Sequence, residues 1–179
     1  MFKGVALLPV VDLGVSQLYL NEEKIIRIQE WFDPMDLSNF EPLTVYDFGN
    51  KRLTLTDGHS RAFWAHKMGV ECVPCIYETE IIVTSDLGQL LYKNDLAWCE
   101  RFGIHSVCDL EDRIISASVY DELWVGRCDK AYNLLTQTSE SEREELRSLR
   151  SDLFLFGANE DTSILYFEDK DGQVISIST

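Results

Sequence analysis

A histidine, a hydroxyl and an arginine fall within three residues of a glycine in the stretch Thr56-Asp57-Gly58-His59-Ser60-Arg61. A plain turn needs none of them. Ahead of the glycine, Leu53 and Leu55 alternate with Thr54 and Thr56, which is a strand pattern. Behind it, Ala62, Phe63, Ala65, His66 and Met68 follow a period of about 3.6 residues, which is a helix pattern. Gly58 lets the chain turn sharply and lets a ligand come close. The amides of His59, Ser60 and Arg61 are first-turn donors without helical partners. With the positive helix end and the planar Arg61 fork they make an anion site, and phosphate is its natural ligand. Gly58, His59, Ser60 and Arg61 are thus the candidate phosphate-binding residues. Asp57 is the candidate for holding Mg²⁺ or orienting a nucleophile. His59 bonds a phosphate oxygen or moves a proton. The competing reading is an ordinary turn: an Asx role for Asp57, with His59 and Arg61 facing solvent.

The surrounding elements decide how such a site is held. Val5–Leu13 reads as a strand broken by Pro9, and Asn21 as the N-cap of a helix Glu22–Phe32. Glu22 and Glu23 in its first turn suit the helix dipole, and either is a candidate catalytic carboxylate. Asp33-Pro34 ends that helix and starts a short second one through Asn39. Leu43–Phe48 and Arg52–Thr56 form a hairpin around Gly49-Asn50. The helix after Ser60 stops at Gly69, and Cys72–Tyr77 is the next strand. Residues 1–80 therefore make one α/β unit. Residues 81–151 turn helical. Ser85-Asp86 caps Leu87–Tyr92, Asn94 or Asp95 caps a helix stopped by Gly103, and Ser106 with Asp109 resembles a capping box. Ser118 with Asp121 opens a helix whose stripe runs through Tyr120, Leu123, Trp124, Cys128, Ala131 and Leu135. A polar helix from Ser139 to Arg150 follows. Residues 152–179 read as a small antiparallel β meander, Leu153–Phe156, Ile164–Phe167 and Val174–Ile177, with turns at Gly157-Ala158-Asn159 and Asp171-Gly172.

With 31 acidic against 16 basic residues, the formal charge of the 179-residue chain is −15. That opposes duplex DNA binding, which rests on a basic surface, but not a small anion held in a local cradle. No run approaches the roughly 18 apolar residues of a membrane span. The start, Met1 to Val10, mimics a short signal peptide. Asp12 and the lack of a small-residue cleavage pattern instead favour a buried first strand. The odd count of five cysteines without framework spacing suggests free thiols in a reducing cytoplasm. Cys72-Val73-Pro74-Cys75 with His105 and Cys108 invites a zinc reading. Residues 72 and 75 on a strand face opposite sides, however, so no zinc is expected. Cys99 and Cys128 sit on apolar stripes. Trp31, Trp64, Trp98 and Trp124 read as core, with Tyr46, Phe48 or Trp64 available to touch a nucleobase. His66 and Lys67 read as surface or packing residues.

The run Leu43-Thr44-Val45-Tyr46, then Leu53 to Arg61, then Gly69-Val70 and Val73-Pro74 resembles the ParB/sulfiredoxin superfamily over residues 1–78. The resemblance implies an α/β (α+β) mixed-sheet unit, here with a helical extension and a β tail. Chromosome-partition members bind CTP through a G-x-x-R-x-x-A box. Gly58 and Arg61 match it, while Trp64 takes the seventh place and Ala65 the next. The basic helix-turn-helix of those proteins has no match in the acidic helices here. Sulfiredoxins place a cysteine where this chain has His59. Free-serine kinases carry D-G-H-H-R, matched at Asp57, Gly58, His59 and Arg61 with Ser60 for the second histidine. They also use an early-helix carboxylate, for which Glu22 or Glu23 could stand. The resemblance implies a nucleoside tri- or diphosphate with Mg²⁺, and phosphoryl transfer to a small-molecule acceptor beside Asp57, or nucleotide hydrolysis. The alternatives are a non-catalytic nucleotide-sensing or partner-binding module, and a ParB-like nuclease, which the negative charge disfavours.

Overall fold

The computed structural model describes residues 3–49, 52–137, 139, 141, 154–159, 164–168 and 174–178. The chain is mixed α and β and falls into two units, Met1–Trp124 and Val125–Thr179. The sequence suggests breaks near residues 80 and 151. The first unit runs further because a short parallel strand pair ties its beginning to its end: β2 (Leu20–Asn21) pairs with β6 (Ile114–Ile115).

The central sheet has the order β1-β5-β3-β4, with β1 Ala6–Pro9, β3 Leu43–Asp47, β4 Leu53–Asp57 and β5 Cys72–Tyr77. β3 and β5 run parallel; the other two pairs are antiparallel. Their inward residues Leu43, Val45, Leu55, Val73 and Cys75 are fully buried. β1 is shorter than the strand expected from Val5 to Leu13, because Pro9 breaks it and Val10–Asp12 winds into a 3₁₀ turn. The chain then lies along β4. The Gly14 amide donates to the Leu53 carbonyl, and the Leu55 amide donates to the Gly14 carbonyl, both at 2.9 Å.

Helix α1, Glu22–Gln29, starts where expected, since the Asn21 side chain accepts from the Glu23 and Lys24 amides. It ends one turn before Phe32. The short helix expected after Pro34 does not form. Asp33 and Asp36 accept the amides of Met35 and Ser38, local bonds that replace helical ones. Trp31, read as core, is 42% exposed and packs edgewise on Phe32 and at a tilt on Phe40.

Helix α2 spans His59–Lys67, and Gly69 beyond it is left-handed, as the sequence implies. After a single turn, α3 (Ile81–Thr84), comes α4, Asp86–Arg101, one continuous helix capped by Ser85. The break expected at Asn94-Asp95 is absent, because caps inside an unbroken helix remain ordinary helical residues. The capping box of Ser106 and Asp109 forms, but it opens a 3₁₀ segment, Val107–Arg113. Ser118, read as a cap, lies inside α5 (Ala117–Tyr120), and Ser116 precedes that helix. A π-helical turn, Asp121–Val125, follows. On the predicted stripe Tyr120, Trp124 and Ala131 are buried while Leu123 is 45% exposed. No disulfide joins the five cysteines, and no helix among the described residues is long and apolar enough to cross a membrane.

The second unit holds α6 (Gly126–Gln137) and an antiparallel meander of β7 Phe154–Asn159, β8 Ile164–Glu168 and β9 Val174–Ser178. Gly157-Ala158-Asn159, read as a turn, is strand; the register slips beside Gly157 instead. Apart from Ser139 and Ser141, the polar helix expected from Ser139 to Arg150 lies outside the described residues, as do the Asp171-Gly172 turn and half of the Gly49-Asn50 turn.

The junction of β4 with α2 depends on Gly58, at φ +86°. A Cβ there would stand 2.5 Å from the Cδ2 atom of Leu43, a wholly buried side chain that would have to shift. Gly58→Ala is expected to lower folding stability by about 1–3 kcal/mol, from strain and overpacking together. Urea denaturation measures this, and an unchanged midpoint would show that the turn tolerates a side chain.

Candidate functional site

β4 ends at Asp57, Gly58 turns left-handed, and α2 begins at once with His59. No side chain caps its first turn, and the first helical bond runs from the Ala62 amide to the Gly58 carbonyl at 2.8 Å. The amides of His59, Ser60 and Arg61 precede that bond, so they are the donors an anion would meet.

Arg61 folds back over this turn. Its guanidinium lies against Gly58, where an added Cβ would come within 3.1 Å of it. It bonds Asp57 at 2.9 Å and the Glu41 carboxylate at 2.7 Å, and it also donates to the Glu41 carbonyl at 3.0 Å. The Arg61 side chain is 13% exposed, against 73% for Asp57 and 81% for Glu41. Ion pairs with such exposed carboxylates contribute about 0–1 kcal/mol each. Charge-assisted hydrogen bonds to a desolvated phosphate contribute roughly 1.5–3 kcal/mol each. A phosphate can therefore take the arginine from Asp57.

His59 is buried, 6% exposed, and its Nε2 accepts the Ser16 amide proton at 3.1 Å. The Ser16 hydroxyl, 3.4 Å from the same nitrogen, donates to the Leu55 carbonyl at 2.8 Å. The ring proton therefore resides on Nδ1. Burial pushes the His59 pKa down to about 4, opposed by the Asp57 carboxylate and aided by the Lys24 ammonium. In this state the side chain is a neutral donor. The proton-moving role considered for it from sequence lacks a free accepting nitrogen.

A cleft of about 270 Å³ opens at this turn. Asp57, Gly58, His59, Ser60 and Arg61 all line it, and so do Thr56 and Gln17. Thr56 is held from behind by the buried Glu78, whose other oxygen accepts the amides of Thr79 and Glu80. The α1 wall is formed by Lys24, Arg27 and Ile28. Glu22 and Glu23 do not line the cleft: they stand exposed in the first turn of α1, and the next turns present cations instead. Sequence reading missed Lys24 and Arg27. The available signal was their spacing on α1 with the buried Ile28, once α1 is packed on α2. Among the described residues Asp57 is the one carboxylate lining the cleft. No cluster of three or more His, Cys, Asp or Glu side chains among the described residues is arranged to hold a metal. Any Mg²⁺ here would need ligands from a bound phosphate besides Asp57, a common arrangement for that ion. Cys72 is exposed and Cys75 buried, on opposite sides of β5, as strand alternation requires.

No protein-family model matches the chain, and no curated protein matches it.

The His59 state has a pH consequence. Its folded pKa, about 4, lies below the ordinary value of 6.5, so between these values the unfolded chain binds the additional proton. The associated stability is complete above pH 6.5 and is lost as pH falls toward 4, in total about 3 kcal/mol. His59→Gln, whose Oε1 can accept the Ser16 amide, should remove this contribution from the pH profile of chemical denaturation. An identical slope in the variant would mean that His59 is not the group responsible.

Proposed function

We propose that this cleft binds the phosphate of a nucleotide, as a ParB/sulfiredoxin-like protein would, and that Asp57 serves phosphoryl transfer or hydrolysis there. The observation that carries the reading is charge. In a chain of net charge −15, three cations, Lys24, Arg27 and Arg61, line one small cleft together with a helix N-terminus and a single carboxylate. Such a concentration of positive potential, in a molecule of strongly negative net charge, favours a compact anion. The volume suits phosphate groups rather than a whole nucleotide, since sites for complete ligands enclose roughly 300–1,000 Å³. The base and sugar would lie outside the cleft.

Within this reading the amides of His59–Arg61 and the neutral His59 donate to phosphate oxygens. Lys24 and Arg27 supply charge from the opposite wall. Asp57, released by Arg61, holds Mg²⁺ or orients the acceptor. A second reading, a nucleotide sensor without turnover, is favoured by one observation. The accepting nitrogen of His59 is occupied by Ser16, which leaves Asp57 as the one carboxylate base lining the cleft among the described residues.

Calorimetry with nucleoside di- and triphosphates, with and without Mg²⁺, tests the site. Arg61→Ala is expected to weaken binding by one to two orders of magnitude, tenfold being about 1.4 kcal/mol. Lys24→Glu with Arg27→Glu is expected to weaken it at least as much. Asp57→Asn should keep or improve affinity, because it removes a competing negative charge, and should abolish transfer. Equal affinity in wild type and both charge variants would rule out the cleft. Turnover unchanged in Asp57→Asn would leave binding intact and favour the sensor.

A further inference from the structure

We propose that a second cavity in the first unit binds a small organic anion with an aromatic or other apolar body. This cavity encloses about 610 Å³, within the roughly 300–1,000 Å³ of small-molecule sites and more than twice the volume of the phosphate cleft. It is framed by the end of β3, the start of β4 and one face of α4. Its apolar lining includes Val15, Phe48 and Ile104, all buried beneath it. Phe48 is fixed before any ligand arrives. Its ring stacks on Tyr92 at 5.1 Å and 18°, and the Tyr92 hydroxyl donates to the Thr56 carbonyl. The lining is thus preformed.

Arg52 and Lys93, both exposed, line the same cavity. Among the described residues neither forms an ion pair, although the chain carries about two acids for each base. Among the described residues the one carboxylate lining the cavity is Glu100, whose Oε2 lies 3.2 Å from His105 Nδ1. The two sets of residues select the ligand class between them. A bare inorganic anion would leave the apolar lining hydrated. A neutral apolar molecule would leave Arg52 and Lys93 without a counter-charge. A ligand with a ring and an anionic head satisfies both, the ring on the Phe48 side and the head toward Arg52 and Lys93.

The cavity shares a wall with the phosphate cleft but not its residues. Gly14 and Val15 line the cavity, Gln17 lines the cleft, and Ser16 between them bonds His59. The proposal stands independently of nucleotide binding, so it is tested in Arg61→Ala, where the cleft is impaired. The probe is phenyl phosphate, followed by amide NMR. The expected result is saturable shifts at Gly14, Gly49, Leu96 and Ile104, absent when inorganic phosphate replaces the probe. Arg52→Glu with Lys93→Glu should weaken the apparent affinity at least tenfold. Ala97→Phe, which narrows the cavity without changing charge, should do the same and serves if the doubly reversed chain does not fold. No saturable shifts at those amides with millimolar probe would overturn the proposal. So would equal shifts from inorganic phosphate, or affinity indifferent to the substitutions.

Discussion

The hydrogen bond from the Ser16 amide to His59 Nε2 joins the two parts of the first unit on which the cleft depends. Residues 14–16 lie beside β4 through backbone bonds at Gly14, and the Ser16 hydroxyl adds a bond to Leu55. His59 is the first residue of α2. The bond therefore fixes the start of the helix against the strand that leads into it, with only the left-handed Gly58 between them. It also fixes the protonation state of the imidazole. A protonated ring would present an N–H to the N–H of Ser16, and burial already penalises the charge. Holding this histidine neutral allows it to be buried in the first turn of a helix whose positive end would oppose an imidazolium.

The same physics explains why so much charge gathers nearby without collapsing. The fork of Arg61 is held by exposed carboxylates, contacts that are weak and exchangeable in water. Ile25 and Ile28 bury one side of α1, and the exposed Lys24 and Arg27 flank Ile28 along the cleft. Apolar packing thus positions two cations opposite a helix N-terminus. The chain as a whole carries a net charge of −15, so cations gathered in one cleft stand out against an acidic background.

Much of the first unit was legible from residue pattern. The change from period two to helical period at Asp57-Gly58, the Asn21 cap, the Gly69 stop and the Cys72–Tyr77 strand each rest on local chemistry, and each is found where the sequence puts it. The errors share a cause. Asp33 offered a helix cap but closed a local turn, and Asn94 and Ser118 offered caps inside helices that continued through them. A capping residue is permissive, and tertiary packing decides whether the chain uses it. For the cleft, the glycine turn was legible because its members adjoin in sequence. Lys24 and Arg27 were not, because only the packing of α1 on α2 brings them to residues more than a helix away. The role of His59 was hidden likewise, since its partner Ser16 is 43 residues distant.

The central claim is that an anion sits on the first turn of α2. It is tested most directly by titrating the isotope-labelled chain with inorganic phosphate and then with a nucleotide, following backbone amides. The account predicts saturable shifts centred on the amides of His59, Ser60 and Arg61, with smaller shifts along the Lys24–Ile28 turn of α1. Saturable binding that leaves those three amides unmoved, or no binding of either anion at millimolar concentration, would contradict it.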